Sequence, residues 1–352
     1  MVGVTPPPPA APTSSVPDAD AGDTVGVLGA GSIGVAFAVL FARAGMRVRV
    51  WDAFPEVFER AAADLGDRLA LLDRHGMLGG APASVAARVT FHADLADALD
   101  GAALVQECAP ERVDLKRELF ARVLESAPAD AVLASSSSAL TPSTIAGLPT
   151  GAMPTPSTVA TAEATPTTAG AVGELARRLI VGHPGNPPYL LPVIEVVPSP
   201  ATDPDVVDRA SALYRRAGLR PVLVRREVEG FLFNRLQGAV LREAYALVRD
   251  GVASVEDIDE VVRSGLGRRW AFIGPFETVD LNTRGGVESH AAKMGPAYER
   301  MGAERGQHDP WTPELVAEVA AQRREALPLD EWDARVRWRD ETLLRVTAAL
   351  PG

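Results

Sequence analysis

The chain has almost nothing with which to crosslink itself. Its 352 residues include one cysteine, Cys108, so an intrachain disulfide is excluded and a reducing compartment is expected. No spacing of His, Cys, Asp or Glu suggests a metal site, and Cys108 has no nucleophilic partner nearby in sequence. Lysine is nearly missing too. Lys116 and Lys293 are the only two, and arginine supplies the remaining basic side chains. That pattern reads as coding bias, yet it makes each lysine worth inspecting. There is no cationic excess: 35 basic against 46 acidic residues leave a net charge of -11, which argues against a nucleic-acid partner. Long apolar runs are absent as well. Met1-Val2-Gly3-Val4-Thr5 leads into a Pro/Ala/Ser stretch with neither a charged n-region nor an apolar core, so neither a signal peptide nor a membrane anchor is expected, and a cytoplasmic location is.

What is present suits a soluble globular protein: 47% hydrophobic and 23% charged residues over a length sufficient for two cores. Residues 1–22 are proline-rich and are expected to form a disordered tail. From Thr24 the order is strand, glycine loop, helix and second strand (Met46–Asp52), a βαβ unit that requires parallel pairing. Further strands are expected at 89–91, 103–106, 131–134, 179–181, 193–197 and 221–225, with helices over Phe54–His75 and Arg112–Leu124. Beyond residue 228 the strand signals stop. Helices are expected over 228–248, 255–264, 275–282, 312–326 and 331–346. The fold class is therefore α/β, with an N-terminal Rossmann-type dinucleotide-binding domain at 23–226 and a C-terminal all-helical domain at 227–352. The Thr/Ala/Pro-rich stretch 149–173 is expected to be a mobile surface insertion.

Gly29-Ala30-Gly31-Ser32-Ile33-Gly34 stands where a phosphate cradle has to be, after a strand and at a helix N-terminus. The first glycine permits the tight turn, the second lets a pyrophosphate approach the backbone, and the third lets helix and strand pack closely. Eighteen residues after Gly34, Asp52 ends the second strand, where a carboxylate accepts from a ribose diol and repels a 2′-phosphate. Ala53 and Phe54 follow, with no arginine to receive that phosphate. The cofactor read from this pattern is NAD.

His183 and Glu195 form a second constellation, twelve residues apart in a strand-like apolar run. Histidine titrates near neutrality, and a carboxylate between Ile194 and Val196 needs a partner. On neighbouring strands the two would satisfy each other, and that arrangement orients a general base. The bland alternative is a hydrogen-bonded core histidine.

With the glycine loop, Asp52, Ser136-Ser137-Ser138, the His183 segment and Phe231-Leu232-Phe233-Asn234-Arg235 together, the chain resembles the L-3-hydroxyacyl-CoA dehydrogenase family. Gln106-Glu107-Cys108-x-Pro110-Glu111, the Gly265–Pro275 segment and Arg337-Trp338-Arg339-Asp340 make it similar to the lambda-crystallin/L-gulonate 3-dehydrogenase branch. The resemblance spans residues 24 to 348, interrupted by the 149–173 insertion. It implies four catalytic residues. His183 is the base, Glu195 fixes its tautomer, and Ser138 and Asn234 hold the reacting oxygen. It also implies cofactor contacts from Gly29, Gly31, Ser32, Ile33, Gly34, Asp52, Glu111 and Lys116, and substrate contacts from Ser138, Asn186 and Asn234. Each has a plainer alternative: a turn cap for Ser138, a structural partner for Glu195, a helix residue bonding backbone for Asn234, a solvated helix charge for Lys116.

Members acting on CoA esters carry lysines after the second strand. Residues 53–93 here contain none, only Arg60, Arg68, Arg74 and Arg88. Arg269, in Gly267-Arg268-Arg269-Trp270, offers a planar guanidinium suited to a small carboxylate. These features tilt the reading toward a free 3-hydroxy acid such as L-gulonate, with a 3-hydroxyacyl thioester on CoA or a carrier as the alternative. Trp270 stands where the branch commonly has tyrosine. A homodimer through the helical domain is expected from the family. A bulk structural or regulatory NAD-binding protein is the non-enzymatic alternative.

Overall fold

A computed structural model of the chain describes residues 23–148, 166–271 and 286–306 continuously, with scattered positions between 274 and 278 and between 314 and 349. Thr24–Leu28 (β1) is buried throughout, because a central parallel strand is covered on both faces. It pairs in parallel with Arg47–Trp51 (β2) on one side and Ala102–Glu107 (β4) on the other. Val89–His92 (β3) lies beyond β2, and Val132–Ser135 (β5) and Leu179–Pro184 (β6) continue the sheet past β4. Val193–Pro198 (β7) runs antiparallel to β6, and Arg220–Leu223 (β8) closes the order β3-β2-β1-β4-β5-β6-β7-β8. Chain direction in the order reverses at β1, and in open sheets of this kind ligands bind at the carboxyl ends beside such a switch point.

Ser32–Arg43 (α1) crosses from β1 to β2 and is buried continuously from Gly34 to Ala42, which explains its apolar composition on every face. Phe58–Arg74 (α2) is amphipathic instead, presenting Ala61, Leu65, Leu69 and Leu72 to the core. Pro82–Ala86 (α3), Leu95–Leu99 (α4), Val113–Ser126 (α5) and Pro142–Ala146 (α6) follow. Pro166–Arg178 (α7) leads into β6, and Pro204–Arg216 (α8) separates β7 from β8. The 149–173 stretch therefore divides: its part from Pro166 onward is helical, and 149–165 lies outside the described residues.

The described residues form two compact units by their contacts, the second beginning at Arg235. The reason is that the backbone before Arg235 is bonded to the first unit: the amides of Leu232 and Phe233 donate to Glu195, and Asn234 donates to Ser138. Phe233–Arg249 (α9) continues into the second unit, followed by Val255–Glu260 (α10), whose Ser254 and Asp257 form a capping box. The expected helix over 255–264 changes to a π-helical turn at Val261–Leu266 before Gly267–Trp270 (α11). In Gly286–Arg305 (α12), Arg305 grips Glu243 of α9 with contacts of 2.9 and 3.0 Å. The tail 1–22 and most of the helices expected at 275–282, 312–326 and 331–346 fall outside the described residues. No described helix is long and apolar enough to cross a membrane.

One packing detail sets a limit on β6. Tyr214 of α8 is wholly buried and donates to Gln106 Oε1 of β4 at 2.7 Å. A Cβ at Gly182 would lie 2.1 Å from the Tyr214 hydroxyl, which has nowhere to retreat. G182A is expected to destabilise the protein by about 1–3 kcal/mol through overpacking. Denaturant midpoints should show that loss, and Y214F in the same chain should recover part of it.

Candidate active site

The glycine loop sits at the switch point as the spacing requires. Gly29 has φ +114°, and a Cβ there would meet the Cys108 carbonyl oxygen at 2.9 Å. A Cβ on Gly34 would lie 1.7 Å from the Gly29 carbonyl oxygen, so helix and turn approach this closely only because position 34 is glycine. At Gly31 a Cβ would meet nothing within 4 Å: the space beside this backbone is open, as the approach of a pyrophosphate demands. A cleft of about 650 Å³ is lined by the loop from Gly29 to Ile33, by Asp52 to Phe54 and by Cys108 to Pro110. Asp52 is held from two sides, Oδ2 accepting from the Ala30 amide at 2.7 Å and Oδ1 from the Phe54 amide at 3.0 Å. An open cradle with a fixed acidic group at the end of β2 fits NAD. Burial and the adjacent Glu107 push the Cys108 thiol up to about 12, so it is an inert wall of this cleft.

Lys116 and Glu111, both expected at the cofactor end, are hydrogen-bonded to the turns around the cleft. Lys116 is fully buried, and its ammonium donates to both Glu107 oxygens at 2.7 and 2.9 Å and to the Ala109 carbonyl at 3.0 Å. Its three protons are thereby used within the chain, so it is not a solvated charge, and it ties down the turn after β4. Glu107 also accepts from Ser135 Oγ at 2.5 Å and from the Ala109 amide at 2.6 Å. Burial nevertheless pushes Glu107 above the ordinary carboxylate range, against the pull of Lys116 and these donors. Glu111 holds the next loop. Its Oε1 accepts from the Ser137 hydroxyl and from the amides of Ser138, Ala139 and Leu140 at 3.1, 2.9 and 3.2 Å. Partial burial opposes ionisation there, but the Ser137 hydroxyl, the amides and Lys116 together hold Glu111 below its ordinary range. The hold on the loop is thus complete at neutral pH and is lost as pH falls through the lowered value.

Beyond that loop, His183 and Glu195 face each other directly across the antiparallel β6–β7 pair. His183 Nδ1 and Glu195 Oε2 are 2.7 Å apart, with the two residues 5% and 3% exposed. The other Glu195 oxygen accepts from the amides of Leu232 and Phe233 at 2.6 and 3.0 Å, at the start of α9. Buried Phe231, in the left-handed region at φ +48°, lays its ring 5.5 Å from the imidazole, and Phe233 meets it edge-on at 6.3 Å. Asn234 donates from Nδ2 to the Ser138 carbonyl at 3.1 Å, so loop and helix are joined where both candidate oxygen ligands lie. Ser138 itself is exposed, as is Asn186, three residues beyond His183. Glu227 adds a second tie, accepting from the Ser143 amide and hydroxyl at 2.7 and 2.6 Å. Arg269 lies in the second unit, exposed on α11.

Sequence reasoning overlooked Glu107, Ser137 and Glu227 as parts of this arrangement. For Glu107 the signal existed: a carboxylate ending the apolar strand Ala103-Leu104-Val105, the same oddity that singled out Glu195. No group of described His, Cys, Asp and Glu residues could hold a metal ion.

A histidine paired with a buried carboxylate, in one domain with an open glycine loop and a fixed carboxylate after β2, suits a dinucleotide-dependent oxidoreductase. The model of the 3-hydroxyacyl-CoA dehydrogenase NAD binding domain matches residues 24–154 and 156–228, and that of the 3-hydroxyacyl-CoA dehydrogenase C-terminal domain matches residues 230–327. The chain belongs to the 3-hydroxyacyl-CoA dehydrogenase family and is an NAD-dependent dehydrogenase. It is 38% identical over 346 residues to a lambda-crystallin homolog of Bos taurus, covering 96% of this chain and 97% of that one, in agreement with the branch its motifs indicate. It is 35% identical over 340 residues to an L-carnitine dehydrogenase of Burkholderia mallei, covering 93% and 94%. Among solved structures, 5-formyl-3-hydroxy-2-methylpyridine 4-carboxylic acid 5-dehydrogenase, an NAD+ dependent dismutase, matches with a TM-score of 0.75 at 26% identity, covering 94% of this chain and 99% of that one.

The buried pair beneath the cleft makes a sharp expectation. K116M strands Glu107 as an unpaired buried carboxylate and should cost about 3–5 kcal/mol, whereas E107Q/K116M, with no charge left to desolvate, should cost clearly less. Urea unfolding of the three proteins measures both.

Proposed function

We propose that this dehydrogenase oxidises, or in reverse regenerates, the 3-hydroxyl of a small free 3-hydroxy acid, L-gulonate-like in size and charge. The observation that carries the reading is the His183–Glu195 pair. A carboxylate accepting at Nδ1 places the ring proton on that nitrogen and leaves the Nε2 lone pair to take the substrate hydroxyl proton. Glu195 then stabilises the imidazolium that forms. The Ser138 hydroxyl and the second Nδ2 proton of Asn234 hold the reacting oxygen, and bound NAD supplies the hydride acceptor. Glu111 and Lys116 serve the cofactor end by fixing the two turns beside it.

The free-acid reading is supported by the lysine-free stretch 53–93 and by a relative whose name denotes a small hydroxy acid rather than a thioester. In this reading Asn186 and Arg269 are substrate ligands, Arg269 taking the carboxylate. The family description favours the second reading, a 3-hydroxyacyl thioester on CoA or a carrier. We place the enzyme in the cytoplasm, in keeping with its single free cysteine, and as a homodimer, in keeping with exposed Leu236, Val240 and Leu241 on α9. A structural or regulatory role without turnover would make no use of the four side chains proposed as catalytic, all of which are present.

H183A is expected to lower kcat by about 10²–10⁴-fold while leaving NADH binding within about twofold. Unchanged turnover on every active substrate would sink the mechanism. A panel of free hydroxy acids, acyl-CoA esters and carrier-bound acyl groups, followed by NADH absorbance, decides the substrate. High kcat/KM on acetoacetyl-CoA with none on free acids would discard the free-acid reading.

A further inference from the structure

Arg68, on α2, belongs to none of the motifs that identify the site, yet it reaches the cofactor loop. Its Nε and Nη2 donate to the two oxygens of Asp64, one turn earlier, at 2.8 and 2.7 Å. Nη1 donates to the Ser32 carbonyl and Nη2 to Ser32 Oγ, both at 3.0 Å. Four of the five guanidinium N–H groups are thereby directed. The side chain is 15% exposed and the Tyr189 ring lies 5.7 Å from it, so the fork is clamped between a carboxylate, an aromatic face and the loop. A solvated surface arginine has no such ordering.

Ser32 is the first residue of α1 and lines the cleft. A guanidinium has no acceptor, so Ser32 Oγ accepts from Arg68, and the hydroxyl's own proton is left for an acceptor elsewhere. The N-terminus of α1 has neither a side-chain cap nor an acidic residue in its first turn, and the space at Gly31 beside it is open. Among the described residues, no side-chain cap and no first-turn acid competes with an anion for the amides of this helix end. We propose that Arg68, held by Asp64, is a positioning residue that turns the Ser32 hydroxyl proton toward the pyrophosphate of bound NAD. Because Asp64 neutralises it, Arg68 contributes direction at the loop and little net charge. The requirement is for a planar fork able to serve Asp64 and Ser32 together, which lysine cannot supply.

The test is a titration with NADH followed by its fluorescence, without substrate, so that the outcome does not depend on which hydroxy acid or thioester the enzyme uses. R68M and S32A are each expected to raise the NADH Kd about 10- to 100-fold, the range of one hydrogen bond to a charged group. The double variant should bind no worse than the weaker single one, since both act through one hydroxyl. R68K should not restore binding. A Kd that stays native in S32A, or effects that multiply in the double variant, would overturn the proposal. So would an R68M protein that loses thermal stability but keeps its NADH affinity, because Arg68 would then brace α2 alone.

Discussion

The carboxylate of Glu195 is the constraint on which the arrangement of the site depends. One oxygen meets His183 Nδ1 across the antiparallel strand pair, and the other receives the amides of Leu232 and Phe233. A buried carboxylate needs this many donors to offset its desolvation, and here each donor belongs to a functional element. The imidazole gains a defined tautomer, and α9 gains a fixed starting point. From that start Asn234 reaches the Ser138 carbonyl, joining the β5 loop to the helix. The proposed base and both proposed oxygen ligands are thus linked through one side chain.

A second carboxylate does similar work on the cofactor side. Glu107 ends β4 as Glu195 interrupts β7, and its partners Lys116, Ser135 and the Ala109 amide come from three separate segments. Glu111, four residues further, gathers the amides of the Ser138 loop on a single oxygen. The turns after β4 and β5 are therefore held by charge-assisted hydrogen bonds at the carboxyl ends of the sheet, where rigid loops are needed to aim reacting groups. This also explains why one of only two lysines is wholly buried.

Much of the architecture was legible because it follows from periodicity and from glycine. The βαβ opening, the cradle at Gly29–Gly34, Asp52 at the end of β2 and the helical character after Phe233 all rest on local rules that survive folding. The His183–Glu195 pair was legible for a different reason: a carboxylate in an apolar strand demands a partner, and a twelve-residue interval suits two neighbouring strands. The helix α8 and the helical end of the 149–173 stretch were not anticipated. For α8 the signal was present, Asp203-Pro204 followed by Val206, Ala210, Leu213 and Tyr214 at helical spacing, whereas the start of α7 is mixed with Thr, Ala and Gly and is settled by packing. Three hydrogen bonds keep Leu232–Asn234 with the first unit, a tertiary constraint that local sequence does not show.

The sequence by itself determined the class of chemistry, that of an NAD-dependent dehydrogenase, from a glycine loop after a strand, a carboxylate ending the next strand and a histidine–carboxylate pair, each recognisable from residue type and spacing. Only the tertiary structure decided what each charged side chain spends its hydrogen bonds on. Lys116 is committed to Glu107, Glu111 to the Ser138 loop and Arg68 to Asp64 and Ser32. Spacing along a chain can show that a charge is unusual, but its partner is chosen by burial, where an unpaired group costs more than the fold can spare.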